Sequence, residues 1–326
     1  MVPTRHILIL GAGELGTAII NALLNHPAYD ATTTSITLVV RPETLASLPA
    51  VITVPVEVDT GSKTAYLSSI RSRGVHLISA DLVADSLDTL TVLFEPYTTV
   101  IHAGAMSLPP GTQLKVTHAA IAAGVDEYVP WQWGVDYDLI GRSGGMGLFA
   151  EQNEVRGLLR SQTNEKKTKW WIVSCGVFMS FLFEEFWGVV MRHSDGKVNG
   201  VRALGGWDHE LTVTTAEDIA RCNAELVLVD TDIRDRVVFI AGESMQYDQF
   251  ADLVEQIVGR KLKRELWTTE WLRKQAEKDE RNKLWKYRVV FSEGVGLSWA
   301  KEKAYNHVKG IEMEGVEGWM KRIGLS

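Results

Sequence analysis

Six short apolar runs with no polar alternation punctuate the first half of the chain: 6–10 (HILIL), 35–40 (SITLVV), 75–79 (VHLIS), 98–103 (TTVIHA), 127–130 (EYVP) and 169–175 (KWWIVSC). Near-continuous apolar character suits a strand buried on both faces, as in a parallel sheet covered by helices. Between the runs the apolar spacing turns helical, at 17–24, at 112–123 closed by Gly124, and at 149–160 with Phe149, Val155, Leu158 and Leu159 on one face. This alternation predicts an α/β fold, a doubly wound parallel sheet. Beyond about residue 178 the rhythm changes. Residues 212–215 (TVTT) and 237–240 (VVFI) read as strands, and 247–258 as a helix ended by Gly259. Thr215 and Asp218 have capping-box spacing for a helix entered at Ala216, and 270–286 reads as one heavily charged helix with a solvated face. The expected division is a first domain at 1–177, its sheet completed by 237–241, and a smaller C-terminal α/β substrate lobe at 178–326.

The first strand-to-helix turn carries chemistry. Its sequence, GAGELG, places Gly11, Gly13 and Gly16 at the spacing G-x-G-x-x-G between a buried strand and a helix. Gly11 permits the tight turn, Gly13 lets a pyrophosphate approach the backbone, and Gly16 lets the helix pack closely on the strand. The first-turn N–H groups, around Glu14 and Leu15, would face the phosphate. Where an NAD-selective site closes its second strand with Asp or Glu, this chain has Arg41. A guanidinium suits a 2′-phosphate, so NADP(H) is expected over NAD(H), the alternative being an Arg merely solvated at a strand end. Asp81, just past the third run, either lies beside the adenine or caps the helix that follows. The small-residue loop from Gly104 and Ala105 to Ser107 lies where a cofactor would pass.

Composition narrows the surroundings. The chain has 326 residues, 45% of them hydrophobic and 23% charged, with a net charge of -7, which argues against a nucleic-acid or membrane surface. Cys175 and Cys222 stand far apart with no metal-ligand spacing, the eight histidines show none either, and no G-x-S-x-G nucleophile motif occurs. A reducing, cytoplasmic setting is expected, with the first strand beginning too early for a signal peptide, and Glu184 and Glu185 interrupting the most apolar later run. The eleven tryptophans bunch after residue 130. They serve either packing or an aromatic-lined pocket.

Taken together, GAGELG, Arg41, the stretch AIAAGVDEYVPWQWGVDYD and the segment TVTTAEDIA resemble the NmrA-like branch of the atypical short-chain dehydrogenases, in particular isoflavone-reductase-like proteins of fungal type. The resemblance implies a Rossmann domain holding NADP(H) and a smaller C-terminal domain closing a substrate cleft. In plant reductases of that family the fifth strand runs into a Pro-Ser-Glu-Phe-Gly loop and a lysine on the next helix is the proposed catalytic group. Here the loop reads Pro130-Trp131-Gln132-Trp133-Gly134, and matching Phe149 and the Val155-Arg156 pair puts Gln152 at the lysine position. Gln cannot supply a proton, although its amide can orient a carbonyl. Glu151, or Asp136 and Tyr137 beyond the loop, could supply it, or each could have a structural role. The Y-x-x-x-K of Tyr305 to Lys309 lies too near the C-terminus for the short-chain dehydrogenase pair.

The expected function is NADP(H)-dependent reduction of an aromatic or heteroaromatic secondary metabolite bearing a ketone, enone or imine. Met106, Trp131, Trp133, Tyr137, Phe178 and Phe181 would line the substrate site, with Gln152, Glu151 or a bound water handling the proton. Two alternatives stand beside it. One is a non-redox cyclase or condensation enzyme with NADP(H) as a structural ligand, the other an NADP-sensing regulatory protein. The expected partner is a small molecule, with no nucleic acid, membrane or metal, and the chain a monomer or homodimer.

Overall fold

Thirteen strands form among the described residues of a computed structural model, which describes residues 5–48, 63–104, 108–163 and 167–325. They are β1 (Arg5–Leu10), β2 (Thr34–Val40), β3 (His76–Ser79), β4 (Thr99–His102), β5 (Glu127–Val129), β6 (Lys169–Ser174), β7 (Val177–Phe178), β8 (Val190–Arg192), β9 (Val198–Leu204), β10 (Glu210–Thr214), β11 (Arg236–Phe239), β12 (Glu243–Gln246) and β13 (Lys263–Trp267). Seven make one sheet in the order β11-β6-β5-β4-β1-β2-β3. β1 pairs in parallel with β2 on one side and β4 on the other, so the chain reverses direction of winding at its first strand. Ile7, Leu8, Ile9 and Leu10 are fully buried, as continuous apolar sequence requires of a central strand covered on both faces. The expected doubly wound α/β sheet is present.

The chain divides into two compact units. The first comprises Met1–Trp131, Val155–Ile172 and Asn223–Arg236. Its last segment, remote in sequence, is tied in by polar contacts: His26 Nε2 meets Glu225 at 2.8 Å, Trp171 Nε1 donates to Asn223 at 3.2 Å, and Arg234 Nε donates to Glu127 at 2.8 Å. Arg234 also stacks 4.2 Å from the Trp171 ring, and the Glu127 carboxylate accepts from Thr99 Oγ1 at 3.0 Å. The Arg234 and Glu127 side chains are only 5% and 15% exposed, so neither charge can be left alone cheaply. Arg234→Met should destabilise the protein by about 3–5 kcal/mol, and adding Glu127→Leu should restore most of that loss. Urea unfolding of the single and double variants reads both effects.

The second unit comprises Gln132–Glu154, Val173–Cys222 and Val237–Ser326. It holds two three-stranded sheets, β12-β10-β7 and β13-β9-β8, and its core gathers Leu182, Trp187, Val213, Phe250, Leu272 and Phe291. Of the capping box expected at Thr215 and Asp218 one half is present, Asp218 N donating to Thr215 Oγ1 at 3.0 Å at the start of the helix Ala216–Leu228, while the Asp218 carboxylate accepts from Arg221 and from Glu314 N. The expected single helix at 270–286 is instead two, Thr269–Lys278 and Lys283–Glu293. Asp279 leaves helical geometry at φ -135, and Asn282 accepts from Leu284 N at 3.2 Å as the cap of a new helix. The uniformly charged run had hidden that cap.

Candidate functional site

The glycine turn is built as its spacing demands. Ala103 N donates to Leu10 O at 2.9 Å, drawing the ends of β1 and β4 together until Gly11 and Gly104 touch. A Cβ on Gly11, at φ +108, would lie 3.0 Å from Gly104 Cα. On Gly16 a Cβ would lie 1.9 Å from Gly11 O, so the helix Glu14–Asn25 can approach the turn only through a bare glycine. Gly13 differs: nothing stands within 4 Å of where its Cβ would be. It is the N-cap of that helix and offers no side-chain cap to the first-turn N–H groups. An open, glycine-faced, uncapped helix N-terminus fits a pyrophosphate.

The other cofactor positions can be placed as well. Arg41 directly follows β2 and is the N-cap of the helix Pro42–Ala46; its side chain is 74% exposed, with Glu43 no nearer than 4.0 Å. Asp81 Oδ1 accepts from Ala84 N and Val83 N, bonds that hold its carboxyl below the ordinary pKa. The cap of the following helix, Leu87–Phe94, is Ser86. Asp81 therefore stabilises the intervening turn. Ala105 and Met106 lie outside the described residues.

His102, which the sequence reading passed over, ends β4 two residues before Gly104 and is fully buried. Burial takes its pKa down to about 4 against the opposing pull of a bond to the Gly104 backbone, so the imidazole is neutral at physiological pH. A histidine closing an otherwise apolar strand beside a glycine was the available signal.

The proton-handling candidates gather in the second unit. Gln152, on the first turn of the helix Ala150–Arg160, is 5% exposed, and its side-chain Oε1 is buried with no hydrogen-bond partner. Gln132, 1% exposed, donates from Nε2 to the Gln152 main-chain oxygen at 2.9 Å and so ties the WQWG loop to that helix. Nothing in the sequence spacing marked Gln132 for this role. Glu151 is half-buried. Asp136 caps the helix Tyr137–Ile140, its Oδ1 accepting from Asp138 N at 3.0 Å and Leu139 N at 3.3 Å.

Of the expected aromatic residues, Trp133 and Tyr137 are buried, and Tyr137 packs 4.5 Å from Phe149. Phe178 and Phe181 are half-buried, 5.6 Å apart, and Phe181 continues to Phe186 at 5.5 Å and Trp187 at 5.9 Å. Trp131, half-buried, belongs to the first unit. Among the described residues no group of three His, Cys, Asp or Glu could hold a metal, and no helix is long and apolar enough to cross a membrane. Both cysteines are buried, and neither forms a disulfide among the described residues.

The parallel sheet with its glycine turn defines a Rossmann-type α/β protein. The chain belongs to the NmrA-like family, whose model matches residues 3–320. An NmrA-like family domain-containing oxidoreductase of Gibberella moniliformis is 38% identical over 321 residues, 98% of each chain. Among solved structures, an isoflavone reductase matches with a TM-score of 0.74 at 17% identity, covering 98% of this chain and 99% of its own. AtPrR2 with NADP+ and (+)pinoresinol matches at 0.72 and 17% identity, covering 98% of each.

Proposed function

We propose that the protein is an NADP(H)-dependent reductase of an aromatic or heteroaromatic ketone, enone or imine. The observation that carries this reading is the open face of Gly13 on an uncapped helix N-terminus, a cradle that fits a dinucleotide pyrophosphate. The oxidoreductase relative at 38% identity and the fold shared with an NADP+-bound neighbour support it. Gly11, Gly13, Glu14, Leu15, Gly16, Gly104 and Ala105 would hold the cofactor, with Asp81 towards the adenine and Arg41 at the 2′-phosphate. NADPH, when bound, supplies a hydride.

The residues of the chain then have three tasks. Phe178 and Phe181, half-buried and in ring contact, present an aromatic surface to a planar substrate. Gln152 has a buried amide with an unpartnered oxygen, which suits orientation of a polar group on the ligand; Gln132 holds the backbone from which that amide projects. Glu151, next to Gln152 on the helix's first turn, is the proposed proton carrier, and Asp136 caps the helix Tyr137–Ile140.

Arg41→Ala should weaken NADPH binding about ten- to a hundredfold, as expected for lost charge-assisted bonds, and leave NADH nearly unchanged. Equal losses for the two cofactors, in parallel fluorescence titrations, would remove Arg41 from the phosphate site. The function itself is tested by mixing protein and NADPH with aromatic ketones, enones and imines. Cofactor consumption matching product supports reduction, whereas product formed with no NADPH consumed would point to the cyclase or condensation reading.

A further inference from the structure

Three indoles meet in the second unit. Ring centroids of Trp267 and Trp271 are 4.7 Å apart, and both lie 5.8 Å from Trp285. None is fully buried, and Trp271 is 38% exposed. Two guanidiniums stack on the cluster: the Arg202 carbon lies 3.8 Å from the Trp267 ring centroid, and that of Arg288 4.5 Å from Trp285 and 5.4 Å from Trp267.

The two arginines are compensated differently. Arg202 pairs with Glu265 at 2.8 Å, a carboxylate that also takes Lys263 at 2.5 Å. Arg288 is only 8% exposed yet has no carboxylate partner among the described residues. Its Nε donates to Trp187 O at 3.0 Å and its Nη2 to Phe186 O, and among the described residues no acceptor takes Nη1. Carbonyls and indole faces soften a cation but do not neutralise it, and burial of an uncompensated charge is costly. Burial and the neighbouring Arg202 both disfavour the charged form of Arg288, and an anion would relieve both. Glu265 is thus shared between Arg202 and Lys263, and among the described residues Arg288 has no carboxylate of its own beside the aromatic rings.

We propose that Arg288 and the Trp267, Trp271 and Trp285 cluster form a binding site for a small planar aromatic carboxylate. The carboxylate meets the Nη1 side of Arg288, which is left over once the Phe186 and Trp187 carbonyls have been bonded, and the ring lies against the indoles. This site stands apart from the reductase reading, since no part of it depends on hydride transfer.

Calorimetric titration of the whole protein with 1-naphthoate and with uncharged 1-naphthamide tests it. The acid should bind at least about tenfold more tightly than the amide, the advantage of a charge-assisted bond. Arg288→Met should abolish that preference. Because Arg288 also holds two loop carbonyls, Trp271→Ala, which removes an exposed ring, provides a second variant. It should weaken both ligands about two- to tenfold and preserve their ratio. Equal binding of acid and amide by the parent protein, or unchanged 1-naphthoate affinity in Trp271→Ala, would overturn the proposal. NADPH consumption with an aromatic ketone, enone or imine is measured on the same protein in a separate assay. Neither result depends on the other, so failure here leaves the reductase reading standing, and the reverse also holds.

Discussion

A Gly13→Val protein is expected to fold with nearly the parent's stability and to lose at least about a hundredfold in NADPH affinity, because the added side chain occupies the space a pyrophosphate needs. The backbone at Gly13 is extended, φ -91 and ψ -168, a conformation valine adopts without strain, and no atom lies within 4 Å of the new Cβ. Exchanging glycine for an apolar residue at an N-cap costs about 1 kcal/mol. Gly16→Val makes the opposite case. Its Cβ would fall 1.9 Å from Gly11 O, so the turn must open and the melting temperature should drop along with cofactor binding. Thermal melts and NADPH titrations of the two variants therefore separate a glycine kept for the ligand from one kept for packing. A Gly13→Val protein that binds NADPH as the parent does would take the dinucleotide out of this turn.

Gln152→Leu is expected to leave stability unchanged or raise it by about 1 kcal/mol while cutting turnover about a hundredfold. The sign of the stability change follows from the orphaned Oε1, a buried acceptor that costs free energy in the ligand-free protein. A leucine of similar volume removes that cost and keeps the packing. The loss of activity follows from the proposed role, since an amide that orients the reacting group has no apolar substitute. Urea unfolding and steady-state rates on one preparation read both effects. A stability loss with turnover intact would make Gln152 a packing residue only.

Local features were legible in the chain, and distant ones were not. The buried strands declare themselves through unbroken apolar runs, and Gly124 and Gly259 end their helices in the left-handed conformation, at φ 65 and 74, as helix-ending glycines do. In the second unit β10 was legible at 212–215, but the sheet of β8, β9 and β13 was not, because all three mix polar and apolar positions and β13 meets β9 from far along the chain. Likewise, nothing near Asn223 or Arg234 announces that this segment joins the first unit, since its anchors are Trp171 and Glu127. At the candidate site the glycines and Gln152 could be picked out by position. The bond from Gln132 and the uncompensated charge of Arg288 arise only when residues remote in sequence meet.

The reductase reading stands or falls on where the hydride goes. Single-turnover mixing of the protein with C4-deuterated NADPH, prepared as each stereoisomer, and an aromatic ketone, enone or imine that it converts follows that atom directly. Deuterium in the product from one stereoisomer only, with one NADP+ formed per product, is the predicted result. A product free of deuterium from both stereoisomers, with NADPH recovered intact, would contradict it.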